Sequence, residues 1–456
     1  MTILAVDFGS TFTKGVLIGD DGSVVATAST PTTAPRRGGG GGRGRRGDVL
    51  DGYRLLRDLL GGPDDAAVHA CSSAGGGLRL AVVGYERTVT AEAGHRVGLS
   101  AGAKVVHVAA GELTTAATAA LRASRPDIVL LVGGTDGGNA DVLLHNAARL
   151  ASAAVGGHGE HAVPVVVAGN VEARAEAVAL LAAAGRPTTT ADNVLPRIGV
   201  IAPESARAAI RAVFLQHVIG GKGLSRDPAF VAMVEAATPD VVLRGVELLA
   251  SVAGGGDVLV VDVGGATTDV YSCLTPQGED ATLAKEVVAP LWHARTVEGD
   301  LGMRWNALHV IEAAQTERLL DTVADLTALQ AYAAAVHERP DALPDGPGER
   351  TLDLELARLA ALVAVRRHAR PGQPAESPRP LQDVVALVGS GGVLRHTDAA
   401  GQAHVLGAVL ADHAGGWKVP RVASATVDTA YLLFAVGLLS EREPALARAV
   451  AARVLP

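Results

Sequence analysis

The feature that most constrains this chain is a pattern written twice. Leu4–Ile18 reads LAVDFGSTFTKGVLI, and Leu259–Cys273 reads LVVDVGGATTDVYSC. Each is an apolar strand ending in Asp, with Gly two residues later, then small and hydroxyl residues, then a returning strand. A plain hairpin needs only a two-residue turn such as Asn-Gly or Asp-Gly, and the chain has one of that kind at Asp21-Gly22. Asp7–Lys14 and Asp262–Asp269 therefore carry more than a turn. Two such units about 250 residues apart predict two similarly built domains.

The residue types in these loops point to phosphate. Gly9, Gly264 and Gly265 let backbone N–H groups approach an anion closely. Ser10, Thr11, Thr13, Thr267 and Thr268 add hydroxyl donors, and Lys14 adds a point charge suited to phosphate. Asp7 and Asp262 cannot face phosphate directly. They make sense with a Mg²⁺ ion and its waters between them and the phosphates. A third element, VALVGSGGVLRH (Val385–His396), is a strand followed by Gly389, Ser390, Gly391 and Gly392 and then a helix. Its glycines would let a base or ribose lie against the backbone near a helix N-terminus. No Gly-Lys-Ser/Thr follows, so it is not a Walker A loop. Hydrolysis would also need a group that positions water against the terminal phosphate. Asp269, Asp136 and Glu112 qualify by type, and the sequence does not choose among them.

Bulk properties narrow the class. A chain of 456 residues suits two or three domains. With 48% hydrophobic and 19% charged residues it is a globular chain, and its net charge of −8 argues against a general nucleic-acid or membrane-surface binder. No uncharged stretch approaches the roughly 20 apolar residues of a membrane span, and Asp7 would interrupt a signal peptide. Cys71 and Cys273 lie far apart with no CxxC pair. They fit a reducing cytoplasm, offer no zinc site or disulfide framework, and read as buried small hydrophobes.

Along the chain, short apolar runs alternate with helical patterns, which means α/β architecture. Ile3–Phe8, Gly15–Ile18 and Ser23–Thr27 read as strands, and Asp48–Leu60 as an amphipathic helix. Lys104–Ala109, Asp127–Val132 and Val163–Ala168 read as buried-type strands with helices between them. Asp257–Val263 and Asp269–Leu274 form a second strand pair, Val384–Val388 a late strand, and Val427–Leu439 an apolar helix. Pro35–Gly47 (PRRGGGGGRGRRG) has no apolar residue that can pack and reads as a flexible loop. The domains expected are 1–103 as a first lobe with the first phosphate loop, 104–195 as an α/β insert or extension of it, and 196–456 as a second lobe with the other two loops.

Asp7–Lys14, Asp262–Asp269 and Gly389–Gly392 resemble the phosphate-1, phosphate-2 and adenosine loops of the actin, hexokinase and Hsp70 ATPase superfamily. That resemblance implies a two-lobed actin-like ATPase fold, with duplicated ribonuclease H-like domains and Mg·ATP clamped between the hairpins. A closer resemblance spans most of the chain. FGSTFTK, ACSSAGGGLR (Ala70–Arg79), LVGGTDGGN (Leu131–Asn139), VVDVGGATTDVYS (Val260–Ser272) and TVEGDLGMRWNA (Thr296–Ala307) are together similar to the MutL/GlmL family of glutamate mutase-associated proteins. What that family implies is a cytoplasmic, ATP-dependent reactivating chaperone whose partners are the subunits of an adenosylcobalamin-dependent mutase. The cobalamin link rests on the resemblance alone. A small-molecule kinase of the same superfamily and an actin-like scaffold are the alternatives.

Two stretches read either way. In LVGGTDGGN, Asp136 could reach a cleft or a partner, or the segment could be a βα turn with Asn139 capping the helix. Glu298 and Asp300 would share a face in extended chain, but they read better as a charged loop near the site than as an acid/base pair.

Overall fold

The structure, a computed structural model, describes residues 2–33, 47–63, 65–73, 78–86, 90–101, 103–153, 155–156, 162–219, 224–225, 227–275, 293–371 and 378–455. Most of the Gly/Arg-rich stretch 35–47 and part of the ACSSAGGGLR segment lie outside them. The chain divides into two units, one of Met1–Gly19 with Val25–Val241 and one of Asp20–Val24 with Val242–Thr275 and Trp292–Pro456.

In the first unit, β1 (Ile3–Phe8), β2 (Phe12–Ile18), β3 (Val24–Pro31) and β4 (Ala67–Ser72) open the chain. β1 and β2 pair antiparallel in the register Asp7↔Lys14 and Phe8↔Thr13, and β1 and β4 pair parallel with Asp7↔Cys71. Val49–Leu60 forms the helix the sequence predicts. Asp48 caps it, its carboxylate accepting from the Leu50 N–H at 2.9 Å, a cap that contributes about 1 kcal/mol. Val49, Leu50, Tyr53, Leu56 and Leu60 make its buried stripe. Each large aliphatic side chain removed from water there stabilises by roughly 1.5–3 kcal/mol.

The chain then builds a separate sheet from β5 (Arg79–Gly84), β6 (Lys104–Ala110), β7 (Ile128–Leu131), β8 (Val165–Val167) and β9 (Thr188–Thr190). All its pairings are parallel, in the order β6-β5-β7-β8-β9. Its inner strands β5, β7 and β8 are aliphatic and buried, as a parallel sheet covered by helices requires, while the edge strands β6 and β9 are only partly buried. The chain re-enters the first sheet as β10 (Val234–Ala237), beside β4. The first sheet is thus β10-β4-β1-β2-β3.

Two expected boundaries are corrected here. The inserted sheet begins with β5, upstream of residue 104, because β5 bonds β6 and β7 and no strand of the first sheet. The first unit runs on to Val241, past residue 196, because β10 completes its sheet.

The second unit repeats the first sheet's plan with β11 (Val258–Val263), β12 (Thr268–Cys273), β13 (His293–Glu298), β14 (Ala386–Ser390) and β15 (Ser424–Val427), in the order β13-β12-β11-β14-β15. The first three strands form an antiparallel meander, and the last two run parallel to β11. Both sheets therefore have the strand order 3-2-1-4-5, the ribonuclease H-like arrangement. The apolar run Val427–Leu439 is not one helix. Val427 closes β15, and the helix is Leu433–Leu439, entered through Asp428, whose two carboxylate oxygens accept from the Leu432 and Leu433 N–H groups at 2.7 and 2.9 Å. The helix Gly346–Ala369 escapes a periodicity reading because apolar and charged residues alike are buried around it.

Candidate phosphate-binding loops

The two hairpins share one turn. Phe8↔Thr13 and Val263↔Thr268 are the last pairs before it, leaving four residues each, 9–12 and 264–267. The first turn residue donates to the carbonyl of the last: Gly9 N to Phe12 O at 3.1 Å, and Gly264 N to Thr267 O at 2.9 Å. A Cβ on either glycine would sit 2.5 or 2.7 Å from that same carbonyl oxygen, so the turn admits no side chain there.

In the first hairpin, Asp7 is 1% exposed. Its Oδ1 accepts from the Thr238 hydroxyl at 2.6 Å, its Oδ2 lies 3.8 Å from Lys14 Nζ, and Cys71 Sγ is 3.7 Å from Oδ1. Thr238 follows β10, so the strand that returns latest also fixes the first carboxylate. Thr32, just past β3, controls the turn. Its hydroxyl donates to Gly9 O at 2.8 Å and its N–H to Thr11 O at 2.8 Å. Because a hydroxyl has one proton, the 3.1 Å contact between Thr13 and Thr32 has Thr13 as donor. Thr13 is fully buried and its hydroxyl serves the fold, whereas Ser10 and Thr11 are exposed on the turn.

In the second hairpin, Asp262 and Asp269 face each other across the strands. Asp269 Oδ1 accepts from Arg295 Nη2 at 3.1 Å, and its Oδ2 from the Thr267 hydroxyl at 3.3 Å. Arg295, on β13, also lies 5.5 Å from the Tyr271 ring centroid. Burial, with the two carboxylates nearby, pushes the Tyr271 phenol far above its usual range. Thr268 is buried, with its hydroxyl on Leu301 O at 2.7 Å, so it too leaves the set of donors that can face an anion.

The segment after β13 wraps the second turn. Met303 N donates to Gly264 O at 3.0 Å, Arg304 N and Trp305 N to Gly265 O at 2.9 and 3.0 Å, and Asn306 Nδ2 to Ala266 O at 3.0 Å. A trans peptide places its N–H opposite its C=O. With three successive carbonyls drawn toward this brace, the N–H groups of Gly265, Ala266 and Thr267 point the other way. Converging N–H groups of this kind make an anion-binding concavity. Gly302 is part of the fit, since a Cβ there would lie 2.3 Å from the Ala266 carbonyl carbon.

Glu298 and Asp300 do not form an acid/base pair. Arg367 Nη1 bonds both, at 2.9 Å to Glu298 Oε2 and 2.7 Å to Asp300 Oδ1. Burial pushes the Glu298 carboxyl up despite Arg367. Burial works the same way on Asp300, but there Arg367 prevails and holds the carboxyl below its usual range. Arg304 closes the brace with two bonds to Asp353, at 2.8 and 3.2 Å, and Tyr332 donates to the same carboxylate at 2.8 Å.

The third loop joins the second hairpin directly. Ser390 pairs with Asp262 across β14 and β11. Gly391 adopts φ +102°, and a Cβ there would sit 2.1 Å from Val263 O. Backbone thus meets backbone, while Gly392 faces open space.

Of the other acidic residues, Glu112 follows β6 and Asp136 follows β7, both on the inserted sheet. Asp136 Oδ1 accepts from Val171 N at 3.1 Å and Asn193 Nδ2 at 2.9 Å. Asn139 does not cap the following helix, Asp141–Ser152, whose cap residue is Ala140 with no side-chain bond. Asp269, in contrast, lies on β12 beside the turn of the second hairpin. Sequence reasoning missed Thr32, Thr238, Arg295 and Asn306. Each acts from a distant element, and nothing in the sequence marks its bond to the hairpin, although Asn306 lies within the stretch TVEGDLGMRWNA. Cys71 and Cys273 are both buried free thiols.

Duplicated ribonuclease H-like sheets, each with an Asp-bearing phosphate-type hairpin, define an actin-like ATPase fold carrying an inserted α/β subdomain. The family model described as MutL protein matches residues 3–455, and the chain belongs to that family. It is 34% identical over 469 aligned residues to Protein MutL of Clostridium tetanomorphum, covering 97% of this chain and 96% of that one. Among solved structures it is similar to the ATP-dependent caprolactamase from Pseudomonas jessenii (16% identity, 96% of this chain and 70% of that chain, TM-score 0.39). It is also similar to a ROK family glucokinase from Streptomyces griseus in complex with glucose and AMPPNP (12% identity, 96% and 98%, TM-score 0.34). Among the described residues no helix is long and apolar enough to cross a membrane.

Proposed function

We propose that this chain is an ATP-dependent reactivating chaperone for an adenosylcobalamin-dependent mutase of the glutamate mutase type. The observation that carries the ATP part is the second turn, where three successive carbonyls are bonded to the brace and three N–H groups are left facing away from it. Membership of the MutL family supports the client.

In this reading Ser10, Thr11 and Lys14 in the first hairpin, and the Gly265–Thr267 N–H groups and Thr267 hydroxyl in the second, hold the phosphates. Gly389–Gly392 takes the adenosine. Asp7 and Asp262 suit a Mg²⁺ ion held through water, being carboxylates that end a strand beside a phosphate loop; the ion would neutralise phosphate charge. Asp269, oriented by Arg295 and Thr267, positions the attacking water. Nucleotide turnover drives the domain movement that loosens the mutase and lets damaged cofactor leave.

The test is recovery of an inactivated adenosylcobalamin mutase with fresh cofactor and Mg·ATP, in the presence and absence of the purified chain. Recovery that needs both the chain and hydrolysable ATP supports the proposal. Phosphate transferred to a small acceptor, with no recovery of mutase, would sink it and identify a kinase.

A further inference from the structure

In both units the chain leaving the third strand folds back onto the turn of the preceding hairpin and bonds it from the carbonyl side. In the first unit this is Thr32, one residue past β3, with its hydroxyl on Gly9 O and its N–H on Thr11 O, both at 2.8 Å. In the second it is Asn306, whose amide nitrogen donates to Ala266 O at 3.0 Å and to Gly299 O at 2.9 Å. Two carbonyls face that nitrogen, so the amide's orientation is fixed by its surroundings, since only the NH₂ end can donate. Asn306 is also the cap residue of the helix Ala307–Thr316, yet it makes no side-chain cap bond. Asparagine is among the best helix caps, a role worth about 1 kcal/mol. This one gives up that bond, and its amide instead ties the turn to the segment after β13.

We propose that Thr32 and Asn306 are positioning residues for the phosphate chain of the nucleotide. Each anchors the peptide groups of a glycine-bearing turn by their oxygens, so that the opposite N–H groups are aimed before ligand arrives. Donors held in place in advance interact with developing or bound charge without reorganising, and ordering the turn in the free protein lowers the cost of binding. The two residues are 274 positions apart by their numbering and unlike in type. Each lies in the segment that leaves the third strand of its repeat, Thr32 directly after β3 and Asn306 in the brace that follows β13.

The inference rests on the nucleotide reading and adds a prediction of its own: loss of either residue weakens affinity in proportion to the phosphates. The full chain and its Thr32→Val, Asn306→Ala and Asn306→Asp variants are titrated with ATP, ADP, AMP and adenosine by calorimetry. Asn306→Asp keeps the shape and removes the donors, and normal adenosine affinity certifies that a variant is folded. The expected result is a loss on the order of tenfold for ATP in each variant, a smaller loss for ADP, and adenosine affinity unchanged. Equal losses for ATP and adenosine would mean a general structural role and overturn the proposal, as would ATP affinity that does not move. A wild-type chain that binds adenosine but gains nothing from added phosphates would instead refute the phosphate-loop reading itself, and this inference with it.

Discussion

Lys14 stands directly across the first hairpin from Asp7, its Nζ 3.8 Å from the carboxylate Oδ2, and the same place in the second hairpin is held by Asp269. The repeat therefore preserves the backbone and inverts a charge. In the first unit a cation balances the strand-end carboxylate. In the second, two carboxylates face each other, an arrangement that costs stability unless compensated, and Arg295 compensates it.

Lys14→Met should therefore weaken ATP binding by about ten- to a hundredfold, the span of a hydrogen bond to a charged group. Raising the salt concentration should erode wild-type affinity more than that of the variant. Calorimetric titration at two ionic strengths reads both. An unchanged affinity would place Lys14 in a purely structural pair with Asp7.

Gly391→Ala tests the joint between the second hairpin and the third loop. Its left-handed φ of +102° and the 2.1 Å approach to Val263 O leave no room for a methyl group. A strained φ alone costs about 1–3 kcal/mol, and the clash adds to it. A lowered melting temperature together with lost adenosine affinity is expected. Gly392→Ala, with open space around it, should be close to neutral in stability.

His368 gives a pH dependence with a definite sign. It is fully buried, its Nδ1 3.0 Å from the Thr296 hydroxyl and its Nε2 2.9 Å from that of Ser272, and Arg379 bonds its backbone carbonyl. Burial, helped by the Arg379 charge, drives its pKa well below 6.5. The unfolded chain takes up a proton near 6.5 that the folded chain refuses. Stability therefore falls as pH drops below about 6.5, by up to about 1.4 kcal/mol per pH unit. Denaturant melts from pH 7 to 5 should show a shallower decline in His368→Gln. Parallel slopes would contradict the assignment.

Trp305 should report on the second turn. It is 56% exposed, and its backbone N–H donates to the Gly265 carbonyl. Its emission should change on adding Mg·ATP, saturate with the binding curve, and lose that change in Trp305→Phe. A full response in the variant would place the signal at Trp292 or Trp417 instead.

What the sequence revealed follows from how local each signal is. Strand, Asp, glycine turn and returning strand are contiguous, so both hairpins are legible; the cross-strand pairing of Asp7 with Lys14 is not, because the returning strand starts at Phe12 and not at Gly15. Hydroxyl direction is not legible. Thr13 and Thr11 look equivalent in a string, but Thr13 lies on β2 and is buried, whereas Thr11 sits on the turn and is exposed. The brace residues are harder still, because Thr32 and Asn306 acquire meaning only when a third strand returns beside the hairpin. β10 was hidden for another reason: the four residues VEAA carry no strand signature, and pairing with β4 decides their state.

Whether the two hairpins bind the phosphates of ATP is read from equilibrium binding of Mg·ATP to the full chain beside Asp7→Ala and Asp262→Ala. Saturable binding by the wild type is expected, with affinity lowered at least about tenfold in each variant. Phosphate binding by the hairpins also entails slow phosphate release by the wild type that both variants lose. Wild-type binding that survives both substitutions undiminished, or no binding of Mg·ATP at all, would contradict it.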